Sequence, residues 1–301
     1  MRPVLVFALA ALAVCGAATA RERPVARTSA EIVAAAPTAD WRPLDLDHTL
    51  VMTFGAGKTA IIELAPAYAP RTTANILTLA RQKYFDGLAI VRVQDNFVTQ
   101  WGDPEADTDS RRPLGAAQPT IPAEWTRPRD KTLPFTRLKD RDGYAREVGH
   151  SSGFPVARDR RNTWLAHCYA MVGAGRGDDP DSASGAELYV VIGHAPRQLD
   201  RNITLVGRVV QGMEHLAALP RGGGPLGFYE TPRERTRIAE VRVAADLADG
   251  GPAGKLEALR TDSASFAALV EARRNRRDAW YKQPAGHIDL CSVLLPVRSR
   301  P

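Results

Sequence analysis

The stretch YFDGLAIVRVQDNFVTQWGD, residues 84–103, sets one arginine, Arg92, in an apolar alternating run, then places Phe97 and Gln100 and stops at Gly102-Asp103. Alternation around Arg92 predicts a half-buried strand. An arginine keeps its charge and offers several N–H donors in a rigid fork. A strand that aims this group and a phenyl ring at one surface suits a pocket for an apolar ligand that contains an amide. Taken alone, Arg92 reads more readily as half of a surface salt bridge, with Glu63 or Asp103 as partner.

On the N-terminal side, residues 48–54 and 59–64 are apolar runs around Gly55-Ala56-Gly57-Lys58, the pattern of a hairpin. Pro70 opens a helix in which Ala74, Leu77 and Ala80 share a face, and which ends near Lys83. On the C-terminal side, residues 104–163 are rich in Pro, Arg, Asp and Gly. They predict an insertion with little regular structure. Strand character returns at 164–172, 187–192, 203–210 and 238–244, with a short helix at Met213, Leu216 and Ala217. Strands dominate, and a closed barrel removes the exposed edges of so many short ones. Beyond residue 245 one more helix is expected over 262–281, capped by Asp262, followed by an apolar tail over 287–296.

The chain has 301 residues, enough for one large domain or two small ones, and is 44% hydrophobic, an ordinary globular content. Its net charge of +6 comes from 40 basic residues interleaved with 34 acidic ones. With no run of aromatic and basic residues together, neither this charge nor the Arg273-to-Arg277 cluster argues for nucleic acid; a solvated helix face explains the cluster. Arg2, the apolar run 4–14 and Ala18-Thr19-Ala20 have the form of a cleaved signal peptide, too short to span a bilayer. Cleavage after Ala20 is expected, with residues 21–40 a flexible leader and no stable membrane insertion afterwards. A lipid-anchored form beginning at Cys15 is the less favoured alternative. The mature chain keeps Cys168 and Cys291, and export predicts that they pair.

The same central stretch resembles the cyclophilin family of peptidyl-prolyl isomerases, which reads F-H-R-x-x-x-x-F-x-x-Q-G-G-D here. Arg92, Phe97, Gln100, Gly102 and Asp103 match; Val91 stands for the histidine and Trp101 for the first glycine. The resemblance extends from about Thr49 to Ala244. Ala170-Met171-Val172 resembles the family's M-A strand, Gly185-Ala186-Glu187-Leu188-Tyr189 lies where G-S-Q-F-F is usual, and Leu199-Asp200 with Val206-Gly207 resembles L-D…F-G. It implies a closed antiparallel eight-stranded barrel capped by two helices over residues 41–245. The insertion 104–163 lies within it, and a C-terminal extension over 246–301 with one helix follows. It also implies catalysis without a cofactor or metal. Arg92 and Gln100 take the catalytic positions. Phe97, Met171, Tyr189 and Leu199 form an apolar socket for proline, with the Tyr189 hydroxyl an unexpected polar tip.

Three other motifs are set aside. Gly149-His150-Ser151-Ser152-Gly153 matches the G-x-S-x-G elbow of hydrolases, which needs a strand before it and a helix after it, and Phe154-Pro155 follows directly. Gly55-Ala56-Gly57-Lys58-Thr59 lacks the first glycine of a phosphate loop. Asp178, Asp179 and Asp181 fit no full calcium-loop signature and read as a solvated acidic loop. The expected protein is therefore a periplasmic or secreted isomerase acting on proline-containing polypeptides. The alternative is a non-catalytic binder of the same segments, and the insertion is expected to lie beside the groove and restrict entry.

Overall fold

The computed structural model describes residues 27–277 and 280–300. The signal-peptide reading lies outside these residues. Eight antiparallel strands close a barrel: β1 (Thr49–Phe54), β2 (Lys58–Leu64), β3 (Ala89–Val93), β4 (Val98–Gly102), β5 (Met171–Ala174), β6 (Leu188–Val191), β7 (Leu205–Gln211) and β8 (Thr236–Val243). Their order around the barrel is β5-β6-β4-β3-β8-β1-β2-β7, with β7 returning to β5. Inward side chains, among them Met52, Phe54, Ile62, Ile90, Trp101, Leu188, Val206 and Ile238, fill the interior. The large Trp101 ring is 1% exposed there, so its replacement of a glycine serves packing.

Four helices are described: α1 (Ser29–Ala34), α2 (Pro70–Arg81), α3 (Met213–Ala217) and α4 (Ala264–Arg274). α2 sets Ile76 and Leu79 against the barrel interior. Its first N–H groups have no local side-chain cap. Glu124 of the insertion supplies one, accepting from Arg71 N at 3.0 Å and Thr72 N at 2.9 Å. A carboxylate there also suits the positive end of the helix dipole.

Four expectations are corrected. The insertion is not irregular: Arg127–Pro128, Thr136–Leu138, Glu147–Ser151, Phe154–Arg158 and Asn162–Leu165 form a five-stranded antiparallel sheet. These strands are two to five residues long, too short for periodicity to show. The described part of the leader is ordered. Thr28 and Glu31 close a reciprocal capping box on α1, and Ile32 is buried. Trp41–Pro43 does not belong to the barrel; it pairs with Leu256–Leu259, which pairs with Val297–Ser299. The terminal helix is also shorter than expected and is capped by Ser263, whose hydroxyl accepts from Phe266 N at 3.1 Å.

These additions share a second core. Ile32, Trp41, Phe154, Val156, Trp164, Phe266, Leu269, Ile288 and Leu290 pack there against Met171 and Leu205 on the barrel's outside. The Arg273-to-Arg277 cluster is not merely solvated: Arg274 pairs with Asp140 of the insertion at 2.5 Å. Gly149–Gly153 joins two strands of the insertion sheet, and Ser151 is 1% exposed, which is not the geometry of a nucleophile elbow.

Cys168 and Cys291 form a disulfide with Cα atoms 4.9 Å apart, closing 123 residues of sequence separation. It fastens the tail to the irregular segment that leads into β5. Serine at both positions is expected to cost about 2–5 kcal/mol of unfolding free energy, read from denaturant melts. Thiol titration of the unfolded, unreduced chain starting at Arg21 should find no free thiol.

Candidate functional site

Register places the site. Across the outside of the barrel, Arg92 on β3 pairs with Gln100 on β4, Gln100 with Tyr189 on β6, and Tyr189 with Gly173 on β5. Paired residues in adjacent strands point to the same face. One row therefore carries a cation, an amide, a phenol and a gap.

Arg92 is held on three sides. Its Nε donates to the Leu226 carbonyl at 2.7 Å, Nη1 donates to Gln100 Oε1 at 3.0 Å, and Nη2 donates to Gln94 Oε1. None of these acceptors is a carboxylate. Glu63, one candidate partner, is taken by Arg42 at 2.6 Å and Arg208 at 3.1 Å. Asp103, the other, accepts from the backbone of Glu105 and Arg112. Burial lowers the Arg92 pKa, and the nearby Glu187 charge opposes this; a guanidinium stays charged at neutral pH. Three of its N–H groups have these partners, which leaves the remaining donors of the fork for a ligand.

Two rings flank the guanidinium, Phe97 at 5.5 Å and Phe228 at 5.2 Å from its carbon to the ring centroids. Phe97 also packs on an apolar patch of Val98, Tyr189, Val191 and Ile203. Arg92, Gln100, Phe97 and Tyr189 thus come together. Leu199 is half-buried on the turn Arg197–Leu199, outside this patch. Met171 is a correction: it is 1% exposed and packs in the second core rather than beside Phe97.

The Tyr189 hydroxyl is not a polar tip in the socket. Its oxygen lies 2.9 Å from His167 Nε2, and His167 Nδ1 lies 2.9 Å from Asp200. With Nδ1 donating to the carboxylate, Nε2 accepts from the phenol. Burial keeps His167 below its ordinary pKa, against the pull of Asp200, so the neutral ring fits this pattern. Burial raises the Tyr189 phenol well above its usual range. The ring lies over Gly173, where a Cβ would come within 2.3 Å of it. Only glycine at 173 lets a tyrosine lie down at 189.

Asp200 also accepts from Arg197 at 2.7 Å, and Arg197 grips Asp142 of the insertion through two hydrogen bonds of 2.9 and 3.1 Å. Burial opposes ionisation of Asp200, but His167 and Arg197 hold its pKa below the ordinary value. The insertion is therefore tied to the socket floor through Asp142, Arg197, Asp200, His167 and Tyr189.

The wall on the other side of Arg92 comes from residues 221–229, which the sequence reading passed over. Gly222 N donates to Val93 O, Tyr229 N donates to Val91 O, and Phe228 bridges Arg92. Leu226 sits at φ +57°, a left-handed conformation that a branched side chain rarely adopts, with its carbonyl on Arg92. Leu226 is 66% and Phe228 39% exposed. The available signal was two large apolar residues in a run of glycines, RGGGPLGF.

Residues 49–243 match the model of the cyclophilin type peptidyl-prolyl cis-trans isomerase family. A probable peptidyl-prolyl cis-trans isomerase of Brucella suis is 25% identical over 210 residues, covering 67% of this chain and 85% of that protein. The peptidyl-prolyl cis-trans isomerase-like 1 protein of Gibberella zeae is 25% identical over 186 residues, covering 62% of this chain and 89% of that one. Among solved structures, the cyclophilin AquaCyp293 from Hirschia baltica superposes with a TM-score of 0.67 at 25% identity, covering 87% of this chain and 94% of that one. Barrel, row of site residues and family match coincide on one segment: this chain belongs to the cyclophilin-type peptidyl-prolyl cis-trans isomerases.

Proposed function

We propose that this isomerase acts on proline-containing segments of exported polypeptides, with Arg92 as the group that stabilises the twisted amide. The observation that carries the reading is a guanidinium held by three carbonyl oxygens, with donors to spare, at the rim of an apolar patch. Rotation of an X-Pro bond faces about 18–20 kcal/mol because the amide is conjugated. As the bond twists, the prolyl nitrogen regains a lone pair. A fixed donor near that nitrogen interacts more strongly with the twisted form than with either planar isomer, which is catalysis by differential binding. Phe97, Val98, Tyr189 and Ile203 supply the surface for the proline ring. Gln100 holds Arg92 and offers its amide to the peptide backbone. Leu199, at the edge of the site, extends the socket.

Export rests on the signal-like N-terminus and on a disulfide, which persists in oxidising compartments. A periplasmic or secreted location follows. A proline-isomerisation assay on short peptides tests the activity. Peptide binding without acceleration would leave the non-catalytic binder as the correct reading.

Leu226 and Phe228 are expected to contact the residue next to proline. Phe228→Ala removes one ring from the Arg92 sandwich and half of the apolar wall. The loss should be about 1 kcal/mol, roughly five-fold in kcat/KM, and greatest for peptides with a large apolar neighbour to proline. An equal loss for glycine-flanked peptides would mean that the ring serves Arg92 alone.

A further inference from the structure

Glu187 immediately precedes β6 and packs against Gly102 and Gly175. A Cβ on Gly175 would lie 2.5 Å from its Oε1, so the glycine makes room for the carboxyl. That same oxygen accepts a hydrogen bond from Gln100 Nε2, while Gln100 Oε1 accepts from Arg92 Nη1. The three residues form a chain: carboxylate, amide, guanidinium.

The direction of this chain follows from donor and acceptor counting. An ionised carboxylate only accepts, and a guanidinium only donates. The amide between them has one orientation that satisfies both. A glutamine at 187, usual in the family that this segment resembles, accepts or donates and imposes no such direction. We propose that Glu187 is a positioning residue, whose carboxylate locks the Gln100 amide with its oxygen on Arg92, and whose protonation releases that lock. This rests on the isomerase reading of Arg92 above.

The pH dependence has a definite sign. Burial raises the Glu187 carboxyl above its ordinary value, and the Asp107 charge adds to this; Gln100 and the Arg92 charge oppose it. The other ionisable group that feels it is Tyr84, itself beside Asp103 and Arg112. As pH falls through the raised value, the carboxyl gains a proton and becomes a donor. It then both donates and accepts, so it no longer imposes one orientation on Gln100, and the turned amide, which sets Nε2 against Arg92 donor to donor, becomes populated. Activity should fall on the acid side at a pH above that of an ordinary glutamate.

The test uses the full chain and a peptide without ionisable side chains, from pH 8 down to about 4. The wild type should show an acid limb in kcat/KM. E187Q, which like the protonated carboxyl both donates and accepts, should run without the limb near the level of the wild type's acid plateau, and E187A should be no better. Independently of turnover, the Gln100 side-chain amide resonances should titrate in the wild type and stay still in E187Q. An acid limb that persists in E187Q, or Gln100 resonances that do not respond to pH in the wild type, would overturn the lock. If no pH gives acceleration, the isomerase reading fails, and the resonances still decide whether Glu187 holds Gln100.

Discussion

Replacing Arg92 with alanine is expected to lower kcat/KM by about 100- to 1000-fold, the loss typical when one fixed donor to a transition state is removed. The fold should survive. Arg92 and Gln94 are half-buried and Leu226 is exposed, so water can replace the guanidinium there, while the buried Gln100 keeps its hydrogen bond to Glu187. The melting temperature should move little. Arg92→Lys should recover only a small part, because a single ammonium cannot satisfy Leu226, Gln100 and Gln94 and still offer a donor to the prolyl nitrogen. Near wild-type turnover in Arg92→Ala would show that the apolar patch alone does the work, by favouring a twisted bound peptide.

Arg197→Ala is expected to be the most destabilising single change, at about 3–5 kcal/mol. The guanidinium is 3% exposed and lies between Asp142, 2% exposed, and Asp200, 6% exposed. Removing it leaves two carboxylates buried without their cation. Such groups favour the protonated form, so the deficit should shrink as the pH is lowered towards about 4. Wild-type Asp200 behaves in the opposite way. Its pKa is held below the ordinary value, so the stability it contributes is present above that value and is lost as pH falls through the folded one. Chemical denaturation of the wild type and the variant at two pH values measures both trends. Because Asp200 orients His167 and His167 holds Tyr189, the variant should also bind peptide more weakly. A deficit below about 1 kcal/mol at neutral pH would mean that water replaces Arg197.

The two large effects differ in how far the sequence foretold them. Arg92, Phe97 and Gln100 sit in one short segment, in a family pattern, and their alternation fixes a strand and a face without reference to anything distant. The barrel and the outer helices of the family were legible in the same way. So was the pairing of Cys168 with Cys291, since the third cysteine, Cys15, lies in the stretch read as a signal peptide. Arg197 and Asp142 gave no such sign. Their partnership spans 55 residues and joins an insertion to a turn, and a salt bridge carries no local period.

The capping box at Thr28 and Glu31 was readable but hidden by an Ala/Pro-rich composition. The insertion sheet was not readable: its strands are short, and they pack on Trp41, Phe266 and Leu290 from outside the insertion rather than showing a pattern of their own. Met171 shows the limit of motif transfer. The residue type matched, but the C-terminal extension built a second core over it. Tyr189 shows the converse. A hydroxyl that looked out of place in an apolar socket is turned away by His167 and given room by Gly173, 16 positions earlier in the chain. Local spacing determines which face a side chain takes. Which atom lies opposite that face is decided by strand register and by segments arriving from elsewhere, and only the folded chain contains that information.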